Sequence, residues 1–370
     1  MKYYIIAGEA SGDLHGSSLM REIMQRDPKA DIRFWGGDLM AAVGGTLVKH
    51  YSELAFMGFI EVIANLRTIF KNIDFCKSDI ISFQPDAIIF IDYPGFNLRI
   101  AKWAKEKKYS TVYYISPQVW AWKENRVNSI KRDIDKMLVI LPFEKDFYNK
   151  WQYPVEYVGH PLVEVIENFI TSHPGNLPQE KTIALLPGSR KQEILKKLPV
   201  MLALSSEFPD YEFVVGKAPG LPDDFYTPLL SPYPNVSAVR NDTYNLLMKS
   251  RAALVTSGTA TLETALFGVP EVVCYKGSSI SYQIAKRLIR VKYISLVNLI
   301  MDRLIVKELI QDELNTNNLR IELKILLEDG PERNRIKKDY AELKAILQKG
   351  GNASAQAAES ISIFMQRKTS

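Results

Sequence analysis

Asp92 closes the run Ile88-Ile-Phe-Ile-Asp92, a lone carboxylate after four apolar residues in strand-like sequence. An acid in such a place can cap a loop. It can also act as a general base if the surrounding apolar chain desolvates it and raises its pKa. Both readings are open from the residues alone. Two further stretches carry chemistry of a different kind. Gly8-Glu-Ala-Ser-Gly-Asp13 and Pro187-Gly-Ser-Arg190 each follow a short apolar strand pattern and precede a helix pattern. The N–H groups at such turns are ready anion donors. Arg190 adds a planar fork that can neutralise a diphosphate. The stretch Thr256-Ser-Gly-Thr-Ala-Thr-Leu-Glu263 repeats the design. There Ser257, Gly258 and Thr259 can donate to a diphosphate, and Glu263, one turn into the helix, can accept from a ribose diol. The plain alternative is a capped helix with an acid in its first turn.

These residues need strands to carry them to one edge. Short β-branched and aromatic runs alternate with helix-period segments, as in parallel sheets covered by helices. Strands are expected at 3–7, 32–35, 87–92, 111–115 and 137–141, then at 182–186, 212–215, 252–256 and 271–275. Helices are expected at 14–26, 98–108 and 144–151, with a helical tail from about 318 to 365. The expectation is an α/β protein of two Rossmann-like domains facing across a cleft, with the polar stretch 172–179 as linker. The boundaries are 1–171 for an N-terminal domain, which carries the amphipathic stretch 54–73, and 180–345 for a C-terminal domain. Residues 346–370 form a helical tail that can pack back on the first domain. The glycines at 8, 12 and 16 have G-x3-G-x3-G spacing rather than G-x-G-x-x-G, which argues against a nicotinamide enzyme.

Composition sets limits on the rest. With 370 residues and 46% hydrophobic content the chain can fill two cores. A net charge of +5 is too mild for a nucleic-acid footprint, and it suits anionic small molecules or an anionic membrane surface. Cys76 and Cys274 support neither a disulfide framework nor a zinc site and read as inert core thiols. The literal Asp133-Ile-Asp135 resembles a metal motif, yet its setting reads as solvated chain, so no metal is expected. No cofactor is expected either. The N-terminus lacks a charged region followed by a long apolar one, so a cytoplasmic protein is expected, dissolved or attached to a membrane surface.

Three stretches keep two readings each. His15 is a second candidate base, or a residue of the helix surface. Trp120 and Trp122 form either a core plug beneath a loop or a sugar platform. In the amphipathic stretch 54–73, Phe59, Ile63, Leu66, Phe70 and Ile73 share a stripe with Arg67 and Lys71 beside it. Core packing is the usual explanation. The other is an interfacial patch whose tip, Met57, Phe59 and Ile60, enters lipid while cations such as Arg67 meet anionic head groups.

Taken in order, several of these stretches resemble one family. They are Gly8-Glu-Ala-Ser-Gly-Asp13, Met57-Gly-Phe-Ile-Glu-Val62, Asp92-Tyr-Pro-Gly-Phe-Asn97, Ser116-Pro-Gln-Val-Trp-Ala-Trp122, Leu141-Pro-Phe-Glu144, Gly159-His160, Leu186-Pro-Gly-Ser-Arg190, Ser257-Gly-Thr259 with Glu263, and Tyr293-Ile-Ser-Leu-Val-Asn298. The chain resembles the lipid-A-disaccharide synthases, inverting glycosyltransferases of the two-domain GT-B type, over nearly its whole length. The resemblance implies transfer from UDP-2,3-diacylglucosamine to 2,3-diacylglucosamine 1-phosphate, giving the disaccharide 1-phosphate and UDP, with another UDP-amino-sugar transferase or a 2-epimerase of the same fold as the alternative. It implies a peripheral position on the inner face of the cytoplasmic membrane of a Gram-negative bacterium, and it leaves a homo-oligomer open. It places Ser189, Arg190, Ser257, Gly258, Thr259, Glu263 and Asn298 at the UDP-sugar. Glu9, Ser11, Gly12 and Asp13 go to the acceptor side, Asp92 to the base, and Met57, Phe59, Ile60, Ile63 and Arg67 to the membrane. One departure is Gly95, which stands where members of the family often carry a second acid.

Overall fold

The computed structural model of the chain describes residues 1–54, 66–174, 181–278 and 291–369. The chain divides into two compact units, Met1–Pro161 with Leu347–Ser370, and Leu162–Ile346. The helix Pro161–Ser172 therefore clusters almost wholly with the second unit, whereas the sequence places it at the end of the first.

The first unit holds a seven-stranded parallel sheet in the order β3-β2-β1-β4-β5-β6-β7. Its strands are β1 (Lys2–Ala7), β2 (Asp31–Gly36), β3 (Thr46–His50), β4 (Ala87–Ile91), β5 (Ser110–Tyr114), β6 (Lys136–Val139) and β7 (Glu156–Tyr157). Strands β1, β4 and β5 are almost wholly buried, as expected where helices cover both faces of a parallel sheet. The second unit repeats the plan with six parallel strands in the order β10-β9-β8-β11-β12-β13. These are β8 (Thr182–Leu186), β9 (Glu212–Lys217), β10 (Val236–Arg240), β11 (Ala252–Thr256), β12 (Glu271–Tyr275) and β13 (Lys307–Ile310).

In each sheet the strand order reverses beside the first strand of the unit, between β1 and β4 and between β8 and β11. That reversal leaves a crevice at the carboxyl ends where connections depart to opposite faces. The registers Ala7↔Ile91 and Val255↔Leu186 bring the loops after these strands side by side. The first pair of loops begins at Gly8 and Asp92, the second at Pro187 and Ser257.

The expected helical tail is three helices, Thr316–Leu327, Pro331–Gln348 and Ala353–Thr369. The last belongs to the first unit, where Ser360 donates to Glu156 at 2.7 Å and Lys368 pairs with Asp135 at 2.9 Å. Among the described residues no helix is long and apolar enough to cross a membrane.

Candidate functional site

The loop after β4 has an unusual backbone. Asp92 and Tyr93 are consecutive left-handed residues, with φ of 42° and 49°. Non-glycine residues adopt that region at a cost and hold it only where neighbours fix it. The neighbours here are specific. The Asp92 carbonyl accepts from the Tyr113 hydroxyl at 2.6 Å and from Asn97 Nδ2 at 2.8 Å, and the Asp92 N–H donates to Tyr114 at 3.2 Å. Asn97 is fully buried at the first turn of the helix Pro94–Glu106, which Pro94 starts. The Tyr93 ring lies on the first loop, so a Cβ on Gly8 would fall 2.2 Å from it. Glycine at position 8 lets the two loops touch.

Asp92 is thus a carboxyl held by its own main chain. Burial pushes its pKa up to about 7, and the charge of Glu9 pushes the same way against the Tyr93 N–H. An ordinary Asp sits near 4, so this one exchanges its proton near neutral pH. Glu9 and Ser11 are exposed beside it, and Gly12 is buried with its Cα toward Ala7.

Of the two parts open to Asp13, orienting the first loop or contacting a substrate, its bonds fit the first. Its carboxylate is buried and accepts from the N–H groups of Gly37 at 2.8 Å, Met40 at 3.0 Å and Leu39 at 3.1 Å. The side chain is spent at the N-terminus of the helix Asp38–Val43, so it orients the first loop from below. His15 is not on a helix surface. It is buried, its pKa falls to about 4 by desolvation, and its neighbour His160 is lowered to about 3 by burial and by His15.

The tryptophans divide. Trp120 Nε1 donates to Glu144 at 3.2 Å, where Glu144 also accepts from the N–H groups of Ile140 and Leu141. Trp122 is 46% exposed with Lys123 Nζ 4.2 Å from its ring centre, so Trp120 braces the loop and Trp122 stands out from it. Asp133 and Asp135 are not solvated chain. Asp133 is buried and gripped by both arms of Arg132 at 2.6 and 2.7 Å, and Asp135 pairs with Lys105 and Lys368. Both acids are consumed by structural ion pairs. Cys76 and Cys274 are buried thiols, the former pushed well up by desolvation and the latter to about 12.

In the second unit Ser189 and Arg190 are exposed at the start of the helix Lys191–Leu202, with Arg190 Nη1 3.5 Å from Glu193. After β11, Gly258 and Thr259 are exposed at the start of the helix Thr259–Leu266, where no side chain caps the N-terminus. No side chain therefore takes its leading N–H groups, and that of Thr261 donates to the Gly258 carbonyl at 3.2 Å. Glu263 accepts from the Tyr244 hydroxyl at 3.2 Å, which leaves a second carboxylate oxygen, and burial raises its pKa.

Ser257 donates its hydroxyl to the carbonyl of Ile294 at 2.7 Å. The segment that receives it is built around Asn298. Asn298 is fully buried, donates to Val306 and Glu308 at 2.9 Å each, and accepts from the N–H groups of Ile305 and Val306. Its amide is consumed internally, so it shapes the turn that Ser257 touches.

Of the membrane candidates, Met57, Phe59, Ile60 and Ile63 lie outside the described residues. Arg67 is exposed at the start of the helix Leu66–Phe83. The expected stripe splits there, with Phe70 56% exposed and Ile73 buried.

The residue that sequence reasoning missed is Lys197, 2% exposed, donating to Thr256 Oγ1 at the end of β11. Its signal was legible. Ile194, Lys197, Leu198 and Met201 follow i, i+3, i+4, i+7 spacing, which sets a lysine on an apolar stripe.

Comparison with known proteins joins these observations. A family profile described as Lipid-A-disaccharide synthetase matches residues 3–363. Relatives named lipid-A-disaccharide synthase include one from Geobacter sulfurreducens, 38% identical with 94% of this chain and 93% of that one covered. Another, from Coxiella burnetii, is 35% identical with 94% and 95% covered. Among solved structures, the glycotransferase of kitacinnamycin matches with a TM-score of 0.68 at 14% identity, covering 98% of each chain. The UDP-GlcNAc 2-epimerase from Neisseria meningitidis matches with a TM-score of 0.65 at 13% identity, covering 98% of this chain and 100% of its own. At such identities the structural matches speak to the fold, two doubly wound units of the GT-B kind. The sequence matches go further, and the chain belongs to the lipid-A-disaccharide synthase family of glycosyltransferases.

Proposed function

We propose that this enzyme transfers a 2,3-diacylglucosamine unit from its UDP conjugate to the 6-hydroxyl of 2,3-diacylglucosamine 1-phosphate, in one inverting displacement that needs no metal ion. The observation that carries the reading is Asp92, a carboxyl poised near neutral pH on a loop fixed by Tyr113 and Asn97. In the proposed step Asp92 takes the proton of the acceptor hydroxyl as that oxygen bonds to the anomeric carbon. The bond from that carbon to the UDP oxygen breaks, and the electron pair leaves with UDP. A single displacement from the opposite face inverts the centre.

The second unit supplies the nucleotide contacts in this reading. Arg190, Ser189 and the N–H groups at 257–259 meet the diphosphate, and Glu263 accepts from the ribose. Charge developing on the leaving UDP is then met by fixed donors and Arg190, the role a preorganised site performs best. Glu9, Ser11 and Gly12 line the acceptor side, with Asp13 as their support. The acylated substrates place the enzyme at the inner face of the cytoplasmic membrane, with 57–63 and Arg67 as the contact.

Incubating the purified enzyme with both acylated sugars and analysing products by mass spectrometry, with and without EDTA, tests the reading. The acylated disaccharide 1-phosphate and UDP are expected in both samples. Absence of the disaccharide sinks the transfer itself. Turnover lost in chelator and restored by Mg²⁺ or Mn²⁺ sinks only metal independence.

A further inference from the structure

On the helix Lys191–Leu202 an apolar and a charged residue have changed places. Leu195 is 46% exposed, while Lys197, two residues on, is buried. Burying an ammonium is among the costlier things a fold can do unless partners compensate it fully. Here the compensation is partial. An ammonium offers three donors. One goes to the Thr256 hydroxyl. Glu193 Oε2 stands 3.6 Å from Nζ, beyond a good hydrogen bond, and Glu193 is itself 36% exposed.

The surroundings of Nζ tell what the charge faces. The backbone of Gly188, with φ of +117°, passes directly over it: a Cβ there would lie 3.4 Å from Nζ and 2.8 Å from Glu193 Oε2. Arg190 follows two residues later, 3.5 Å from the same carboxylate group. The other titratable neighbour, Cys274, is a thiol pushed up to about 12 and so carries no charge at neutral pH. Two cations and one anion leave a surplus of positive charge under the loop at 187–190. Thr256, the partner of Lys197, is the last residue of β11, directly before the donors at 257–259.

We propose that Lys197 is a positioning residue of the nucleoside-diphosphate site, which ties the end of β11 to the loop at 187–190 and sets a buried positive charge behind the diphosphate. The inference rests on the nucleotide assignment made above for this unit. Its substrate class is a nucleoside diphosphate and its sugar conjugate, and it acts through Thr256, Gly188 and the field at the loop rather than by touching the reacting carbon. Charge added to the distal phosphate as the sugar departs increases its contribution, so kcat falls with affinity when it is lost.

The test is Lys197→Met, which keeps the length of the side chain and removes its charge. UDP affinity is read by calorimetry and uridine affinity by NMR titration, on the full chain. Lys197→Met is expected to fold with a melting temperature near the parent's, because the burial cost of the ammonium disappears with its bonds. UDP affinity is expected to fall about tenfold or more while uridine affinity stays within about twofold, and the salt dependence of UDP binding to weaken. Unchanged UDP affinity in the folded variant overturns the proposal, as does equal loss for UDP and uridine, which marks Lys197 as a structural prop. If Lys197→Met melts more than about 10 °C below the parent, Lys197→Gln, which keeps a donor for Thr256 without the charge, is judged by the same criteria. A parent that binds neither UDP nor uridine sinks the nucleotide assignment itself, a result distinct from a parent that binds both and a variant that does too.

Discussion

The two strand-order reversals carry loops of opposite character. After β4, Asp92 and Tyr93 are twisted into left-handed backbone, their carbonyl bonds are spent inside, and an acid is discouraged from ionising. After β8 and β11, Ser189, Arg190, Gly258 and Thr259 stand exposed, with a helix N-terminus and two cations gathered around them. The topology is the same in both units. The fold supplies a place, and the side chains decide whether that place moves a proton or holds an anion.

Asp92→Asn is expected to break the proton side of this contrast with the largest effect, lowering kcat by about 10²–10⁴ in single-turnover transfer at saturating substrates. UDP affinity should stay near the parent's. The parent's kcat should rise with pH through about 7 and level off above it, and the Asn variant should lose that dependence. Stability runs the other way. A carboxyl whose folded pKa lies above its unfolded value binds more protons when folded, so stability declines as pH rises from about 4 to 7. The Asn variant should therefore melt at or above the parent at pH 8, with the gap closing toward pH 4. A near-parental rate would move the base to Glu9 or His15.

Arg190→Ala and Glu263→Ala probe the anion side and should each weaken UDP binding about tenfold, in keeping with charge-assisted contacts of about 1.5–3 kcal/mol. Unchanged calorimetric affinity in both would remove the nucleotide site from the second unit. The expected membrane contact is tested apart from either crevice. Replacing Met57, Phe59 and Ile60 by Ser should release the protein from anionic vesicles by severalfold, on the order of their lost apolar burial, without unfolding it. A variant that melts far below the parent, with vesicle binding per folded molecule unchanged, would return the stretch to the core. The smallest effect is expected of Gly95→Ala. A Cβ there meets nothing within 4 Å, so stability should move by no more than about 1 kcal/mol and kcat by about twofold or less. A larger loss of rate would mean that the space beside Asp92 is needed by the acceptor.

The legible parts of the molecule were those where burial and sequence agree. Strands β8, β11 and β12 lie where their apolar runs predict, and the loops that follow β1, β4, β8 and β11 were found through glycine, proline and hydroxyl residues. Edge strands escaped. Thr46–His50 and Val236–Arg240 have exposed or half-buried positions throughout, so they lack the apolar run that betrays an inner strand. The partners of Asp13 and Asn298 were hidden for another reason. A polar residue in a motif looks the same in sequence whether it faces a ligand or a ring of main-chain N–H groups, and only the folded chain brings Gly37, Leu39 and Met40 to Asp13. Lys197 was passed over because a lysine is ordinarily assigned to the helix surface. The phase of its neighbours contradicted that habit.

The return of Leu347–Ser370 to the first unit has a consequence for synthesis. The second unit is one continuous segment and can close as soon as it clears the ribosome, whereas the first waits for the helix Ala353–Thr369, which packs on Ala10–Arg26 and holds Glu156 and Asp135. At about 5–20 residues per second that wait is about 10–40 s. Through it the nascent chain carries an apolar sheet with one covering helix not yet made, so the half with Asp92, the proposed base, is completed last and has most need of chaperone shelter.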